Sequence, residues 1–293
     1  MEWFQALILG LVQGLTEFLP VSSSGHLAIG REVLGVEASG DLAFEVAVHA
    51  ATVLATIVVF RRQIWDLLKD LFKFRYNDGT DYICKILVSA VPVFVVGMFF
   101  KDYVEGLFSS LLVVGLALLV TAALLYFSDR KKTASAASAD GAAGSDGPAA
   151  GAPDAPAADA PVAPGAARNG ISYGQALLVG VGQAFAVIPG LSRSGTTIST
   201  GLLCGVKREN VAQFSFLMVL IPILGEAFLD LVGGDFGASS VGVLPLALGF
   251  AAAFVSGLFA CKVMIALVKR ARLKWFALYC ALVGAAVIIF TLF

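Results

Sequence analysis

An acid, a proline, three serines and a histidine lie close together inside an apolar segment near the N terminus. The segment reads QGLTEFLPVSSSGH from Gln13 to His26. Carboxylates and imidazoles are the side chains that most often transfer protons or attack an electrophile in enzymes. Glu17 and His26 are therefore the first candidates for chemistry in this chain.

A second polar stretch, QAFAVIPGLSRSGT from Gln183 to Thr196, aligns with the first when the chain is shifted by 170 positions. Twelve positions are then identical without a gap, which a shared apolar bias does not explain, so we infer an internal duplication. In the first copy they are Gln5, Ala6, Leu7, Gly10, Gln13, Ser22, Ser24, Gly25, Gly35, Val36, Phe44 and Leu54.

The composition indicates where these stretches lie. Hydrophobic residues make up 58% of the 293 residues, and the mean hydropathy is +0.88. Long apolar runs of this kind require lipid as their solvent, so the sequence predicts an all-α integral membrane protein. The net charge is -1, and without a basic face no nucleic-acid partner is expected.

Proline and glycine interrupt both polar stretches. A straight spanning helix would expose the broken backbone to lipid, at a cost of several kcal/mol for each unsatisfied group. We therefore predict two re-entrant helical hairpins, over residues 1–30 and 172–205, whose irregular tips are enclosed by protein.

Three apolar runs follow each hairpin, and each is near the ~20 residues that cross the hydrocarbon of a bilayer. Each copy is thus predicted to be one hairpin plus three transmembrane helices. The predicted runs are 42–60, 83–100, 107–128, 210–232, 241–268 and 275–293.

Lysine and arginine cluster after the first, third and fifth runs, which predicts that these loops are cytoplasmic. Three spans in each copy is an odd number, so the copies have opposite orientations and form an inverted-topology repeat. Both termini and the opening of the site are then expected on the outer side. The residues that flank the loop after the first run are Arg61, Arg62, Lys69, Lys73, Arg75 and Lys85.

Residues 129–170 join the first copy, 1–128, to the second, 171–293. Most of this linker is Ala, Pro, Gly, Ser and Asp, with no bulky apolar residue beyond Val162 between 133 and 169. Such a composition cannot bury enough surface to offset the entropy of ordering the chain. We predict a disordered cytoplasmic linker.

Glu17 is a candidate metal ligand or general acid/base, because ionisable residues at membrane depth are costly and usually functional. Gln13 lies four residues earlier on the same helical face and can offer a carbonyl oxygen to a hard cation. The alternative for Glu17 is a solvated carboxylate near the interface, and the alternative for His26 is a satisfied core histidine. Glu45 and His49 are predicted to hydrogen-bond to each other as structural residues.

The second stretch places an arginine, Arg193, between two serines. An unpaired cation near the membrane midplane is expensive, and a phosphate bound through two parallel hydrogen bonds is its natural partner. The hydroxyls at both breaks either cap the following helices or, with free backbone N–H groups, bind phosphate oxygens. These hydroxyls belong to Ser22, Ser23, Ser24, Ser192, Ser194 and Thr196.

The two stretches resemble the motifs of the bacterial undecaprenyl-diphosphatase family of the bacitracin-resistance type. GLVQGLTEFLPVSSSGHL carries the (E/Q)xxxE element as Gln13 and Glu17, followed by the PVSSxGH run, and PGLSRSGTT carries the PGxSRSGxT element. The resemblance extends over both copies in chain order and is lost only at the Ala/Pro-rich linker.

This resemblance implies a multi-pass protein of the bacterial cell membrane that hydrolyses undecaprenyl diphosphate to undecaprenyl phosphate and phosphate. Such hydrolysis recycles the lipid carrier for peptidoglycan and confers tolerance of bacitracin. The family pattern makes Glu17 the catalytic or metal-associated acid, His26 the nucleophile or acid/base, and Ser23 and Arg193 contacts of the diphosphate. A divalent cation, Mg²⁺ or Ca²⁺, is expected near Glu17 and Gln13.

The alternative function is a polyprenyl-phosphate flippase or secondary transporter, because inverted repeats with broken helices are a transporter architecture. A transporter needs no general acid/base, whereas Glu17, His26 and Arg193 are the groups that hydrolysis would use. The sequence does not decide the oligomeric state, and a homodimer is compatible with it.

Overall fold

The computed structural model describes residues 1–36, 42–108, 110–142, 168–225, 241–270 and 272–293. These residues are helical, without a strand in any of the described ranges. In chain order the helices are α1 Trp3–Thr16, α2 Ser23–Leu34, α3 Leu42–Leu71, α4 Asp78–Phe99, α5 Lys101–Leu107, α6 Leu111–Ala142, α7 Tyr173–Phe185, α8 Arg193–Leu203, α9 Arg208–Met218, α10 Val243–Arg270 and α11 Lys274–Leu292.

Five helices in the described ranges are long and apolar enough to cross a membrane, and the prediction of an all-helical membrane protein is confirmed. The fourth predicted span, 210–232, is described only to residue 225 and has a turn at Val219. Its remainder lies outside the described residues. The five helical segments are Ala43–Leu71, Asp78–Phe99, Leu111–Arg130, Val243–Leu267 and Lys274–Leu292.

Each predicted hairpin consists of two helices separated by a short non-helical segment, at 17–22 and at 186–192. In each pair a glutamine of the first helix hydrogen-bonds to the end of the second helix. The Gln5 side chain donates to the carbonyl oxygen of Leu34 at 3.0 Å, and the Gln175 side chain donates to that of Cys204 at 3.0 Å. The duplicated glutamines therefore make equivalent contacts in the two copies.

The first helix of each hairpin packs against a long helix of the other copy, α1 against α10 and α7 against α4. Glycine permits both approaches. A Cβ atom on Gly10 would lie 2.3 Å from the Gly249 carbonyl oxygen, and one on Gly180 would lie 2.2 Å from that of Ser89. Backbone therefore meets backbone at both crossings, where any side chain would clash.

Lys85, one of the cations predicted to flank the first loop between spans, lies inside α4. It is only 2% exposed, in an ion pair with Asp81 one helical turn earlier. The Tyr76 hydroxyl donates to Asp81 at 2.6 Å, and the Lys85 ammonium lies 5.3 Å from the centre of the Tyr173 ring. A carboxylate and an aromatic face thus hold a lysine inside the protein that would otherwise reach water.

The long helix α6 continues as far as Ala142. Most of the predicted disordered linker, 143–167, lies outside the described residues. On the described side of that gap, Asp129 forms an ion pair with Arg208 and accepts a backbone hydrogen bond from Lys274 at 3.4 Å. These contacts join α6 to the N-terminal ends of α9 and α11.

Candidate active site

Ser22 and Ser192 begin the second helix of each hairpin. The Ser22 Oγ accepts the backbone N–H of Gly25 at 3.2 Å, and the Ser192 Oγ accepts that of Gly195 at 3.1 Å. Each hydroxyl thereby satisfies one of the backbone donors that a helix N-terminus leaves unpaired. Both serines cap helices, and their contact with a phosphate stays a prediction.

The tips of the two hairpins touch each other through a second pair of duplicated serines. The Ser24 Oγ accepts the backbone N–H of Gly190 at 3.4 Å, and the Ser194 Oγ donates to the carbonyl oxygen of Leu19 at 3.0 Å. Each serine therefore bonds to the break in the opposite hairpin. The N-termini of α2 and α8, which favour anions, are brought together by these contacts.

Glu17 is the centre of the polar contacts between the tips. Its Oε2 accepts from Gln13 Nε2 at 3.0 Å and from Ser23 Oγ at 2.5 Å, while its Oε1 forms an ion pair with the Arg193 guanidinium. The carboxyl is only 7% exposed and the guanidinium 18%. The carboxylate is thus buried and paired, and the alternative of a solvated interfacial residue is wrong.

Arg193 was expected to have a phosphate as its partner, and the structure gives it a carboxylate of the chain itself. Only its Nη2 forms a hydrogen bond within the described part of the chain. A guanidinium has five N–H donors, so one carboxylate leaves several of them for a second anion. The ion pair is therefore compatible with phosphate binding at the same guanidinium.

His26 projects from the first turn of α2 and has a hydrogen bond at each ring nitrogen. Its Nδ1 lies 2.7 Å from the Ser22 carbonyl oxygen, and its Nε2 lies 2.7 Å from the Tyr279 hydroxyl. Because a carbonyl oxygen can only accept, Nδ1 carries the hydrogen and Nε2 of the neutral ring accepts from Tyr279. The nitrogen that remains available for chemistry is Nε2.

The tips lie deep within the helix bundle. The backbone N–H of Ser192 donates to the Thr121 hydroxyl at 3.0 Å, and Thr121 is at the middle of the membrane-capable segment Leu111–Arg130. The second break thus contacts the middle of a long apolar helix, and the re-entrant path of the two hairpins stays a prediction.

Several buried side chains near the breaks have polar atoms without a partner among the described residues. They are Gln13 Oε1, Thr196 Oγ1 and both amide atoms of Gln183. A buried polar group without a hydrogen bond costs about 1–3 kcal/mol, so such atoms indicate a bound water, ion or ligand. Gln13 and Thr196 were both predicted to bind ligand.

The donor set fits a hard divalent cation in part. The unpaired Oε1 of Gln13 and the carboxylate of Glu17 offer oxygen atoms on one helical face, and a hydrogen bond of 3.0 Å joins the two side chains. The described residues contain no group of three or more His, Cys, Asp and Glu side chains placed for a metal. Mg²⁺ typically keeps several waters and binds substrate phosphates, so two protein ligands are sufficient for it.

Glu45 and His49 hydrogen-bond to each other through the Glu45 backbone and not through its carboxylate. His49 Nδ1 bonds to the Glu45 backbone carbonyl oxygen at 2.9 Å. The Glu45 carboxylate instead forms an ion pair with Arg31 of α2 at 2.5 Å. The cation of the neighbouring helix competes successfully for the carboxylate, because a charged partner binds it more strongly than a neutral ring.

Sequence reasoning missed Tyr279 and Thr121, which contact His26 and Ser192 from distant helices. Neither lies in a duplicated motif. A single tyrosine or threonine in an apolar run is common in membrane helices, so only the tertiary packing distinguishes these two.

Comparison with known proteins identifies the family of this chain. The family model of the bacitracin resistance protein BacA matches residues 6–286. The undecaprenyl-diphosphatase of Bacteroides fragilis is 48% identical over 293 residues, covering 99% of this chain and 98% of that protein. That of Parabacteroides distasonis is 49% identical over 296 residues, covering 100% and 99%. That of Carboxydothermus hydrogenoformans is 34% identical over 295 residues, covering 99% and 97%. The chain therefore belongs to the bacitracin resistance protein BacA family.

Proposed function

We propose that this protein is an undecaprenyl-diphosphatase, which hydrolyses undecaprenyl diphosphate to undecaprenyl phosphate and inorganic phosphate. The names of its relatives and their full-length similarity support this activity. The structural observation that carries it is the ion pair between Glu17, in the break after α1, and Arg193, at the N-terminus of α8, inside a protein with five membrane-capable helices in its described ranges. Hydrolysis of the diphosphate also removes the lipid that bacitracin sequesters.

The two copies form an inverted-topology repeat of re-entrant hairpins in this proposal. The equivalent bonds of Gln5 and Gln175 support it, as do the reciprocal crossings at Gly10 and Gly180. In an inverted repeat, elements of one copy pack on the counterparts of the other, and the binding site lies where the two meet. The contact between the hairpin tips is that meeting point.

The two parts of the substrate would lie in different surroundings. The polyprenyl tail stays in hydrocarbon, while the diphosphate enters between the tips beside Arg193 and the N-termini of α2 and α8. Arginine and the helix dipoles offset the negative charge of the diphosphate and the charge that develops on its oxygens. Thr196, whose Oγ1 has no hydrogen-bond partner among the described residues, supplies a hydroxyl donor in the same region, whereas the Ser23 hydroxyl donates to Glu17 and offers the diphosphate no second hydrogen.

In the reaction, the bond between the terminal phosphorus and the bridging oxygen breaks, and its electron pair leaves with undecaprenyl phosphate. His26 Nε2 either attacks the phosphorus directly, forming a phosphohistidine that water then hydrolyses, or takes a proton from the attacking water. Both routes deliver the oxygen of water to the released phosphate. Glu17 orients Arg193 and Ser23 through the bonds described above.

A divalent cation, Mg²⁺ or Ca²⁺, would be held by Glu17 and the Oε1 atom of Gln13. When bound, it would supply positive charge to the diphosphate oxygens.

Phosphate release from undecaprenyl diphosphate by the purified protein in detergent tests the function. We expect Glu17→Gln, His26→Ala and Arg193→Ala each to lose about a hundredfold or more in turnover, the range seen for acid–base groups and oxyanion contacts. Arg61→Ala is the matched control, because among the described residues this exposed arginine bonds to a backbone carbonyl oxygen of its own helix and not to the site. Near wild-type turnover of any of the three site variants would contradict its assignment.

Transport is the alternative, because the paired hairpins resemble those of secondary transporters. Liposomes containing the protein and a polyprenyl phosphate separate the two activities. Phosphate release from the diphosphate without movement of the monophosphate between leaflets supports the hydrolase alone. Absence of phosphate release with either cation would favour transport.

The outward position of the termini and of the site opening is also a proposal, supported by the distribution of Lys and Arg. It can be tested with single cysteines in a protein whose native cysteines are replaced. Tyr103→Cys, between α4 and α6, should react with a membrane-impermeant maleimide on intact cells. Phe74→Cys, in the loop after α3, should react only after permeabilisation. The reverse pattern would overturn the orientation.

A further inference from the structure

Tyr279 contacts His26 in two independent ways. Its hydroxyl lies 2.7 Å from His26 Nε2, and its ring stacks on the imidazole with 5.6 Å between centroids and 10° between planes. The two residues come from α2 and α11 and are separated by 253 positions in sequence. A stacked ring limits tilting of the imidazole, and a hydrogen bond limits its rotation.

The packing beside this contact keeps Tyr279 at the hairpin. The next residue, Cys280, is fully buried, and its Sγ donates to the carbonyl oxygen of Pro20 at 3.6 Å. Pro20 belongs to the break between α1 and α2, so α11 is attached to the first hairpin by a second bond. The position of Tyr279 relative to His26 therefore does not depend on their own contact alone.

The opposite side of the imidazole is held by the backbone. The Nδ1–H group donates to the carbonyl oxygen of Ser22, the residue that caps α2. This bond sets the tautomer of the neutral imidazole. The bond to Ser22 does not by itself fix the tilt of the ring, so the direction of Nε2 depends on a further contact. The Tyr279 hydroxyl occupies the lone pair of Nε2 at the partly exposed edge of the site.

We propose that Tyr279 is a positioning residue for His26, an inference that rests on the proposed phosphatase function. Its ring sets the plane of the imidazole, and its hydroxyl holds Nε2 in one direction until a phosphoryl group or its attacking water replaces it. A conformationally restrained Nε2 reacts more often from a productive geometry. Tyr279 is not required to contact phosphorus or to transfer a proton.

Two substitutions separate the contribution of the Tyr279 hydroxyl from that of its ring. Tyr279→Phe retains stacking and loses the hydroxyl, whereas Tyr279→Leu loses both. We expect Tyr279→Phe to lower kcat about tenfold with little change in KM, as supporting hydrogen bonds to functional histidines commonly do, and Tyr279→Leu to lower it further. Tyr126→Phe is the control, because Tyr126 also lies on a membrane-capable helix and is partly exposed.

Nitrogen-15 spectra of histidine-labelled protein in micelles provide a second measurement that does not depend on turnover. The chain has two histidines, so His49→Gln assigns both sets of signals. We expect Nδ1 of His26 to be protonated, and the Nε2 resonance to move in Tyr279→Phe towards that of an unbonded nitrogen. If the hydrogen bond is only structural, its loss in Tyr279→Phe would move the Nε2 resonance without lowering kcat.

Failure of the positioning role and failure of the phosphatase function would give different results. An unchanged Nε2 resonance in Tyr279→Phe, or a kcat within about twofold of wild type, would overturn the positioning role. Equal losses in Tyr126→Phe would overturn it as well. A wild-type protein that releases no phosphate would overturn the proposed function, whatever the spectra show.

Discussion

The carboxylate of Glu17 and the guanidinium of Arg193 form an ion pair that joins the two hairpin tips across 176 positions of sequence. Both groups lie well inside the protein, and Ser23 and Gln13 bond to the same carboxylate. The acid comes from one copy of the duplication and the arginine from the other. Ser23 occupies the position in the first copy that Arg193 occupies in the second, so duplicated positions have acquired complementary roles.

This relationship predicts a cost in stability as well as in activity. Glu17→Gln leaves Arg193 without its counterion, and breaking such a pair costs about 3 kcal/mol or more when little water reaches it. The double variant Glu17→Gln/Arg193→Gln should be less destabilised than the sum of the single variants. Thermal unfolding followed by a thiol dye that reacts with buried Cys261 and Cys280 measures the cycle. Additive effects would show that the two charges do not interact.

The close helix crossings at Gly10 and Gly180 predict that adding one methyl group at either position lowers the stability of the protein. Gly10→Ala and Gly180→Ala each place a Cβ within 2.3 Å of a backbone oxygen. We expect destabilisation of about 1–3 kcal/mol, the usual cost of overpacking. Gly174→Ala is the control, because it lies on the same helix as Gly180 with no neighbouring atom within 4 Å. The same thiol assay measures all three, and equal stability of the variants would contradict the tight crossings.

The ion pair of Lys85 with Asp81 gives a third prediction. Lys85→Ala should destabilise the protein by about 3 kcal/mol, because a carboxylate is left in a buried site without its cation. Lys69→Ala provides a matched comparison, since its pair with Asp66 is exposed and 3.8 Å long. Such surface pairs contribute about 0–1 kcal/mol. Similar melting temperatures of the two variants would show that Lys85 reaches water after all.

A fourth prediction concerns the cation. Chelation should abolish phosphate release, and added Mg²⁺ or Ca²⁺ should restore it. If Gln13 Oε1 is a ligand, Gln13→Ala should raise the cation concentration required for half-maximal activity by about tenfold, the loss typical of one ligand or its support. Gln183→Ala tests the specificity of this effect, because the duplicated glutamine has Val187 where the first copy has Glu17. An unchanged requirement in Gln13→Ala would exclude Gln13 as a ligand.

The sequence by itself determined the local features of this protein. Apolar runs of about 20 residues predict membrane helices wherever they occur, because their solvent is lipid. Proline, glycine and serine predicted a break within residues 1–30 and another within 172–205, and the helices are interrupted at 17–22 and 186–192. The motifs also identified Glu17 and Arg193 as candidates, since charged residues are rare in such segments.

Only the tertiary structure decided which of these groups meet. Glu17 pairs with Arg193, His26 bonds to Tyr279, and Lys85 pairs with Asp81 inside the protein. No periodicity specifies such contacts, because they depend on how helices far apart in sequence cross. In lipid every buried polar group must find its partner within the protein, so the packing of the helices selects among the candidates that the sequence supplies.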